Sequence, residues 1–499
     1  LDEYLKPIAD GPDQALAAEL MQTIAFLKEH GFNRIVNNQR AQQFYAKWLS
    51  QYGDDSIAQM TGVHLVFDGL SQVALKFAED QRIGLEPIEQ STRYVSFAAK
   101  VAPTDGGVPK YRYYTPAPDL QKLGLLDEYR ATLDNLFDTY VDLVPKLTAF
   151  LATRHEEKQS VLEKKSFDTL RGLLPMATLG QVAFRGNAQA WEFLINRSGK
   201  HPLGEMRWLA AAVKKELDGE IPSLLLRAAE APAGEYQQHL GEGNARAQQI
   251  AKELAPDGWR IENESKPLVR LVEYDAQATE KVVAAILYPA THDSWESVMN
   301  AVKSLSDEAR RTVIQSYLGG RKARWYKVGR AFESAYLRFE IVMSIASYRD
   351  LHRHRMMTQE RQRFSVHHGY DVPAELVEAG LDAPYTAALD RAKILFEKIE
   401  ARDAELAQYA VPLAYRIRCY HLKNLRQLFW EAELRTGPQG HPEYRFIEQE
   451  MVRIARIQFP LLADAILADF NDYALARRGT EERIAAKEKE LVEKLAKRS

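Results

Sequence analysis

Cysteine is almost absent from this chain: its 499 residues include one, Cys419. A disulfide framework requires pairs of cysteines and a cysteine-rich zinc site requires several, so both classes of scaffold are excluded. A single thiol is typical of proteins in a reducing compartment. We therefore predict a cytoplasmic protein that holds no metal ion.

Long hydrophobic runs and a strong net charge are also missing. No run approaches the roughly 20 apolar residues that cross a bilayer, and the first residues, "LDEYLKPIADG", lack the basic-then-apolar order of a signal peptide. We expect no membrane partner. Because the net charge is only −3, any phosphate site must be local, and we expect no nucleic-acid partner.

Helical periodicity dominates what the sequence does contain. A chain of this length exceeds one hydrophobic core, which predicts two or more domains. Apolar residues at helical spacing predict a helix over 14–31, and the apolar run 333–351 predicts a buried helix. The tail 481–499 predicts a charged, solvated helix. Strand-like composition is found at 93–102 and 266–276.

The chain contains an internal similarity. A proline (175, 412) precedes an asparagine (187, 424) by twelve residues in each half, and "NRSGKHP" (196–202) then matches "LRTGPQGHP" (434–442). The alternative is two helical domains of similar composition, but helix composition does not supply this order of Pro, Asn, Arg and His-Pro. We predict a tandem duplication with domains 1–260 and 261–480, a linker near 255–265, and an irregular insertion at 102–120.

The stretch "LHRHRMM" (351–357) places Arg353, His354 and Arg355 after the predicted buried helix. Cations at a helix C-terminus are favoured by the helix dipole, so the purely structural interpretation is a basic cluster that stabilises the helix end. A zinc site lacks ligands at suitable spacing, and a nucleic-acid site would need a wider basic stripe with aromatic residues. The functional alternative is a small anionic ligand, because arginine binds phosphate in a bidentate manner.

The stretch "GLEPIEQSTRY" (84–94) is predicted to be extended, because Pro87 disfavours helix. Glu89, Ser91 and Arg93 would then share one face, where an acceptor, a hydroxyl and a guanidinium can bind a phosphate and orient a sugar. The purely structural interpretation is a strand whose polar face is exposed to solvent. Arg171, four residues before Pro175, is by itself an ordinary surface or capping residue.

Together these stretches resemble the flavin-dependent thymidylate synthases. Their signature runs Arg-His-Arg, two residues, Ser, one residue, Asn-Glu, one residue, Ser, one residue, Arg-Tyr. Residues 353–355 resemble its start, and "IEQSTRY" (88–94) resembles its end. "GDDSIAQM" (53–60) and "FESAYLRFEI" (332–341) are similar to the family stretches that carry Gly-His-x-Ser and Glu-His; the histidines are replaced, and Ser56 is kept.

A later family stretch contains Arg, three residues, Pro, then Asn-x-Arg, Leu-Arg and His. The first half resembles it at Arg171, Pro175 and Asn187, and the second half at residues 412, 424, 426, 434–435 and 441. The first half retains the family's nucleotide-side residues, and the second half retains its flavin-side residues and the late arginine. Because each half has lost what the other retains, the resemblance implies one composite site. By resemblance the roles are: catalytic, Arg435; substrate-binding, Glu89, Ser91, Arg93, Tyr94 and Arg171; cofactor-binding, Arg353, His354, Arg355, Asn424 and Ser56.

The resemblance implies FAD-dependent methylation of dUMP to dTMP, with methylenetetrahydrofolate and NADPH as co-substrates. Two alternatives stay open: a flavin-dependent paralogue acting on another pyrimidine nucleotide or one-carbon substrate, and a non-catalytic flavin- or nucleotide-binding scaffold. The implied fold is helix-rich α/β (α+β), with two tandem domains that are each a mixed sheet with flanking helices. The implied assembly is a homodimer that forms a pseudo-tetramer.

Overall fold

The computed structural model describes residues 56–102, 107–229, 231–255 and 268–476, with short helical pieces at 22, 24–25, 43, 486–491 and 494. The predicted helix over 14–31 and the predicted linker near 255–265 therefore lie almost entirely outside the described residues. In the charged tail, the described positions 486–491 and 494 are helical and exposed, as predicted.

The strands form two small sheets, ordered β1-β3-β2 and β4-β5-β7-β6. The strands are β1 Val63–Ser71, β2 Leu85–Glu89, β3 Leu179–Gly186, β4 Leu268–Tyr274, β5 Tyr336–Ser344, β6 Thr358–Arg361 and β7 Arg416–Asn424. Strand β4 confirms the strand predicted within 266–276. Strand β2 confirms the extended segment around Pro87.

Helices account for most of the remaining described chain, which confirms a helix-rich α+β protein. They are α1 Ser56–Gln59, α2 Gln72–Glu79, α3 Ala117–Leu123, α4 Leu126–Arg154, α5 Gln159–Leu170, α6 Ala188–Gly199, α7 Gly204–Asp218, α8 Leu226–Ala229, α9 Ala231–Leu254, α10 Ala278–Leu287, α11 Trp295–Lys303, α12 Asp307–Leu318, α13 Ile345–Leu351, α14 Ala374–Glu378, α15 Asp382–Glu400, α16 Ala404–Ala407, α17 Leu425–Arg435, α18 Pro442–Gln458 and α19 Pro460–Ala463.

The four-stranded sheet is antiparallel throughout, so the mixed sheet expected for this repeat is wrong. The register gives the reason. Ser344, the last residue of β5, pairs with Arg416, the first residue of β7. The long connection between these strands thus leaves and re-enters the sheet at the same end, which makes the neighbouring strands antiparallel.

The two repeats share one order of elements. In each, a strand, a helix and a second strand come first, and a further strand follows that ends at an asparagine-capped helix. The starts of the first three elements are 273 residues apart (Val63 to Tyr336, Gln72 to Ile345, Leu85 to Thr358), and the later landmarks are 237 apart (Arg171 to Gln408, Leu179 to Arg416, Asn187 to Asn424). The sheet orders β1-β3-β2 and β5-β7-β6 correspond as well.

Longer helices account for much of the extra length of the first repeat, which corrects the predicted insertion at 102–120. Helix α4 has 29 residues where its counterpart α15 has 19, and α5 has 12 where α16 has four. The end of 102–120 is no insertion: Tyr113 bridges to Thr178 as Tyr370 bridges to Tyr415 in the second repeat. Only the irregular chain before Tyr113 fits the prediction.

The buried helix predicted over 333–351 is wrong in its first half, which is strand β5. Leu337, Phe339 and Ile341 are fully buried and alternate with more exposed residues, the period of a strand. The side chain of Ser344 then caps α13 by accepting from Ser347 N. The strand predicted over 93–102 is also wrong: residues 92–94 form a turn, and this stretch makes one isolated bridge, at Val101.

The described residues form two compact units. The first comprises the described parts of Leu1–Asp68, Phe77–Glu89 and Gln181–Trp259. The second comprises Gly69–Lys76, Gln90–Gly180 and the described parts of Arg260–Ser499. The domain boundary at 260/261, drawn from the repeat, stays a prediction.

The described residues contain neither a membrane-spanning helix nor a cluster of metal ligands. No helix in this part of the chain is long and apolar enough to cross a membrane. Within the same residues, no group of three or more His, Cys, Asp or Glu side chains is arranged to hold a metal ion.

Candidate functional site

Arg93 lies in the turn after β2 and is 4% exposed. Its Nε and Nη2 donate to the two carboxylate oxygens of Asp168, at 2.9 and 2.7 Å. Its Nη1 donates to the backbone oxygen of Gln439 (3.1 Å) and to the hydroxyl of Tyr444 (3.2 Å). A first-repeat guanidinium is thus held partly by second-repeat residues, all within the second unit.

Arg171 begins the short 3-10 turn that follows α5 and is 2% exposed. Its Nε lies 3.3 Å from Asp168 Oδ1, and its Nη1 lies 3.3 Å from Asp350 Oδ2. Asp350 also lies 3.9 Å from Arg353 Nη2. Among the described residues, Arg171 Nη2 has no hydrogen-bond partner. Two carboxylates therefore link Arg93 and Arg171 of the first repeat to Arg353 of the second.

Arg435, the last residue of α17, donates from Nε to Nε2 of His354 at 2.7 Å. Its guanidinium lies 5.9 Å from the centre of the Tyr444 ring, and that of Arg93 lies 5.6 Å from the same ring. Tyr444 thus contacts one arginine from each repeat, at cation–π distance. The structure brings the predicted nucleotide-side and flavin-side arginines into one cluster.

The cluster carries excess positive charge. It contains four guanidinium groups (93, 171, 353, 435) and two carboxylates (168, 350), so it is doubly positive while its histidines are neutral. Burial would raise the pKa of Asp168 and of Asp350, but the neighbouring cations hold the pKa of each below its usual range. Both carboxylates are therefore ionised at neutral pH, and the remaining charge suits a dianion.

Two buried imidazoles border the cluster. Burial lowers the pKa of His354 to about 3, against the opposing effect of Glu431. Burial likewise lowers the pKa of His441 to about 4, against the opposing effect of Asp168. His441 caps α18, its Nδ1 accepting from Glu443 N at 3.3 Å. Both rings are thus neutral at physiological pH, which leaves each a hydrogen-bond acceptor.

A cavity of about 580 Å³, here called the Arg171 cavity, adjoins the cluster. Arg171, Asp168 and His441 form part of its wall, with Gly172 and Asp371 beside them. A Cβ at Gly172 would overlap the hydroxyl of the buried Tyr385, which favours glycine there. In the other repeat, Tyr409 takes the place of Gly172 and Tyr114 takes the place of Asp371. The rings of these two tyrosines lie 5.0 Å apart and fill the equivalent space.

A second cavity, here called the Asn424 cavity, has a volume of about 260 Å³. Asn424 caps α17 by accepting from Gln427 N at 2.8 Å, and both residues line the cavity. Four cations line it against two carboxylates, so it is doubly positive, and two aromatic rings complete one wall. These residues are Arg321, Arg324, Lys327, Arg426, Glu333, Glu433, Phe429 and Trp430.

The repeat-related cavity in the first unit has lost this charge. Asn187 takes the place of Asn424 and caps α6 in the same manner. Arg227 is the cation among its described lining residues, and it is paired with Glu192 at 3.1 Å. Arg197, the arginine of the matching motif, lies one residue before the place of Arg435 when counted from the capping asparagines; it donates to the backbone oxygen of Phe77 and packs on that ring at 4.2 Å. The charges that line the first-repeat cavity thus cancel, and its arginines make contacts within the protein.

The other predicted residues occupy less central positions. Tyr94 packs beside Arg93 at 5.1 Å, and Ser91 accepts from Arg93 N at 3.2 Å. The shared strand face predicted for Glu89, Ser91 and Arg93 is wrong, because β2 ends at Glu89 and the chain turns. Glu89 and the exposed Ser56 belong to the first unit. Arg355 is half-buried two residues after Arg353.

Sequence reasoning missed Asp168, Asp350 and Tyr444. A signal was present for the first two, because each carboxylate precedes a predicted arginine by three residues, Arg171 and Arg353 respectively. Residues three apart on a helix are neighbours, so such a pair predicts an ion pair. Tyr444 carried no comparable signal, since its role depends on where α18 packs.

Behind His354 lies a fully buried charged group. Lys423 Nζ bonds Glu431 Oε2 at 2.5 Å and lies 3.6 Å from the sulfur of Met451. Burial raises the pKa of Glu448 well above its usual range, and the adjacent Glu431 raises it further. The side chain of His421 is 0% exposed, and neither ring nitrogen has a hydrogen-bond partner among the described residues.

Replacing His421 with phenylalanine is expected to raise the free energy of unfolding by about 1–3 kcal/mol, because it removes two buried unsatisfied nitrogens. Phe184, three residues before Asn187, already occupies the corresponding place in the first repeat. Urea denaturation monitored by circular dichroism measures the change. His239→Phe, at an exposed position, is the control and is expected to leave stability unchanged.

The same variant also tests a pH effect. Burial lowers the pKa of His421 to about 3, so the unfolded chain binds a proton below about pH 6.5 while the folded chain does not. This group therefore destabilises the fold as pH falls through that window, by about 1.4 kcal/mol per pH unit. The His421→Phe variant should lose stability less steeply between pH 6.5 and 5; equal slopes would contradict a neutral His421.

Comparisons with known proteins identify the family of this chain. The family described as thymidylate synthase complementing protein matches residues 10–223 and 270–461. The UPF0159 protein of Chlamydia pneumoniae is 35% identical over 456 residues, 89% of this chain and 84% of that protein. The UPF0159 protein of Thermoplasma acidophilum is 29% identical over 486 residues, 90% of this chain and 93% of that protein.

Among solved structures, the UMP/dUMP methylase PolB from Streptomyces cacaoi, bound with 5-Br dUMP, is similar over 41% of this chain and 96% of its own, with 19% identity and a TM-score of 0.32. The match of the family to two separate segments agrees with the two repeats seen in the strand and helix order. The chain therefore belongs to the thymidylate synthase complementing protein family, the flavin-dependent thymidylate synthases.

Proposed function

We propose that the protein is an FAD-dependent methyltransferase that converts dUMP to dTMP at a composite site formed by its two repeats. Methylenetetrahydrofolate would supply the carbon unit and NADPH the reducing equivalents. The observation that carries the proposal is the convergence of Arg93 and Arg171 with Arg353, His354 and Arg435 in one doubly positive cluster. Family membership supports a thymidylate-synthase-type methyltransferase in general.

The nucleotide would bind at the Arg171 cavity. Its volume of about 580 Å³ lies within the range of about 300–1,000 Å³ that suits small ligands. Arg171 lines this cavity, and its buried Nη2 has no hydrogen-bond partner among the described residues. A phosphate monoester is a dianion near neutral pH. The cavity wall carries two cations against four carboxylates, so the phosphate would lie at its Arg171 end, next to the doubly positive cluster; these charged wall residues are Lys165, Arg171, Asp168, Asp371, Glu375 and Glu443.

The flavin would bind with its pyrophosphate at the Asn424 cavity, and the residues there fit that group. The excess of two positive charges matches a pyrophosphate. Two of the cations are held over aromatic rings at cation–π distance, Arg321 over Phe429 at 5.3 Å and Lys327 over Trp430 at 4.3 Å. A volume of about 260 Å³ is too small for the whole dinucleotide, so this cavity would take a part of it. The neutral first-unit cavity lacks this charge, which supports one flavin per chain.

The chain's own residues would position and stabilise the reacting groups. FAD, when bound, would supply the hydride chemistry. Arg435 would stabilise negative charge that develops on the pyrimidine. Arg93, which does not line the Arg171 cavity, would act through its two hydrogen bonds to Asp168 and so fix the position of Arg171 for the phosphate. Tyr444 contacts both Arg93 and Arg435 at cation–π distance, 5.6 and 5.9 Å from its ring centre, and would help to hold them in place.

A cysteine nucleophile does not fit this chain. Cys419, the one cysteine, is buried in β7, and burial raises the pKa of its thiol to about 12. A thiol with such a pKa is almost wholly protonated at neutral pH and is a poor nucleophile. This supports a reaction in which the cofactor, and no protein thiol, activates the one-carbon transfer.

The test begins with the absorbance spectrum of the purified protein. We expect a flavin spectrum, reduction of that flavin by NADPH, and its reoxidation with formation of dTMP when dUMP and methylenetetrahydrofolate are added. UMP, dCMP and deoxyuridine serve as alternative substrates. Turnover of one of these in preference to dUMP would favour the paralogue on another pyrimidine. A protein that binds nucleotide or FAD without turnover would favour the non-catalytic scaffold.

Two further expectations accompany the proposal. The fused chain would form a homodimer equivalent to a tetramer of single repeats, which light scattering coupled to size-exclusion chromatography measures. The protein would act in the cytoplasm on small molecules, without nucleic-acid or membrane partners.

A further inference from the structure

The hydrogen bond between Arg435 and His354 constrains where the imidazole carries its proton. A guanidinium can only donate, so Nε2 of His354, which receives the bond at 2.7 Å, must have a free lone pair. The neutral ring therefore carries its proton on Nδ1. The side-chain nitrogen Nε2 of Gln427 lies 3.4 Å from Nδ1 and 3.5 Å from Glu431 Oε2, and both contacts are longer than ordinary hydrogen bonds. Because Nδ1 carries the proton, we assign the amide the flipped orientation, with its oxygen toward Nδ1; the two ends of an amide are interchangeable in position.

We propose that Gln427 is a positioning residue for Arg435: by accepting from Nδ1 of His354 it keeps Nε2 free to receive the Arg435 hydrogen bond. The functional consequence rests on the proposed role of Arg435 at the nucleotide. Gln427, Glu431 and Arg435 are spaced four residues apart, so they form one face of α17. Gln427 also lines the Asn424 cavity. The hydrogen bonds from Gln427 to His354 and from Arg435 to His354 therefore connect the proposed flavin site with the proposed nucleotide site.

The charged group behind His354 is not required by the fold. Counted from the capping asparagines, Gln427 corresponds to Ala190 and Glu431 to Leu194, and both first-repeat residues are buried. Lys423 corresponds to Gly186. The same elements thus pack with apolar side chains in the first repeat. Apolar replacements of buried ion pairs are often neutral or stabilising, so retention of the polar set in one repeat favours a functional reason.

The first repeat also lacks a counterpart of the hydrogen-bond chain formed by Gln427, His354 and Arg435. Gln81 occupies the place of His354 and donates from its side chain to the backbone oxygen of Ala190. Arg197 is bonded to the backbone of Phe77. The first repeat therefore has no imidazole for an arginine to donate to at this place.

Charges from each neighbouring element act on His354. Glu431 on α17 favours its protonated form, while Arg435 on the same helix, Lys423 on β7 and the adjacent Arg353 oppose it; His421 on β7 is neutral. Burial is the largest influence and keeps the ring neutral. A carboxylate in place of the Gln427 amide would change this balance, which gives a directed test.

The experiment uses the full chain labelled with ¹⁵N-histidine, without flavin or nucleotide. Long-range ¹H–¹⁵N correlation spectra report the tautomer, and His354→Gln identifies the His354 signals. The wild type should show Nδ1–H and no titration between pH 7 and 5. Gln427→Glu should keep Nδ1–H but raise the pKa of His354 by about 1–3 units. Gln427→Met should yield a mixture of tautomers.

Turnover supplies the second readout. Gln427→Met should lower kcat by about 10–100-fold with little change in KM for the nucleotide, because the catalytic group is present but misplaced. Gln427→Glu should be active above the raised pKa of His354 and lose activity as pH falls below it, since a protonated ring cannot accept from Arg435. The control is Gln449→Leu, a buried glutamine that bonds Asp469 O instead and should leave both readouts unchanged.

The outcomes separate this inference from the proposed function. An Nε2–H tautomer in the wild type, or an unchanged spectrum and kcat in Gln427→Met, would overturn the positioning role. If the spectra behave as expected but no nucleotide is methylated, the hydrogen-bond device stands and the dUMP reaction fails.

Discussion

Replacing Arg435 with alanine is expected to lower kcat by at least about 100–1,000-fold while FAD still binds. Arg435 Nε donates to His354 Nε2 at 2.7 Å, so the guanidinium is held in place before any substrate arrives. A preorganised cation aimed at developing charge is worth about 3–4 kcal/mol in the transition state. Single-turnover reoxidation of the reduced flavin, with dTMP quantified by mass spectrometry, measures the loss.

The control for this variant is Arg453→Ala. Arg453 lies on α18, is partly exposed, and pairs with Glu450 in the preceding turn. Its removal should leave turnover unchanged. The flavin spectrum of both variants should match the wild type, because the Asn424 cavity keeps its charges. Normal turnover in Arg435→Ala would refute the assigned role, whereas loss of flavin would show that Arg435 belongs to the cofactor site.

Replacing Arg93 with methionine is expected to lower the free energy of unfolding by about 3–5 kcal/mol. The change removes the bidentate partner of Asp168, whose side chain is 8% exposed, and leaves a buried carboxylate with Arg171 Nε at 3.3 Å as its remaining arginine contact. An uncompensated buried charge carries this cost because the carboxylate cannot regain its hydration. Urea denaturation, with m-values compared to exclude a change in the denatured state, provides the measurement.

The double variant Arg93→Met with Asp168→Leu tests the reason for that loss. It removes both charges and leaves Arg171 with Asp350 at 3.3 Å. Stability should return to near the wild-type value, while nucleotide binding, measured by calorimetry with dUMP, should stay lost. A double variant as unstable as Arg93→Met would show that the pair contributes by its shape rather than by its charge balance.

The pH dependence of this ion pair has a defined sign. The pKa of Asp168 is below its usual value in the folded chain, so the unfolded chain binds the proton first as pH falls. The stabilisation is present above about pH 4 and is lost at lower pH. In Arg93→Met the acid limb of the stability curve should become shallower.

The sequence by itself determined the duplication and the family. Prolines, glycines and capping asparagines have local physical reasons for their places, so Pro175 with Pro412 and Asn187 with Asn424 survived divergence and marked the repeat. The two asparagines do cap equivalent helices. The arginines at 93, 171, 353 and 435 were also readable, because the family signature fixes them relative to these landmarks.

Only the tertiary structure decided how those arginines are used. The strand β5 was mistaken for a helix because its second half is continuously apolar, and a strand buried on both faces has no readable period. Asp168, Asp350 and Tyr444 join the cluster through contacts between distant segments, such as Arg93 with Tyr444. Sequence spacing describes neighbours along the chain, whereas burial, ion pairing and the neutral state of His354 depend on which segments pack together; that packing decided the geometry of the site.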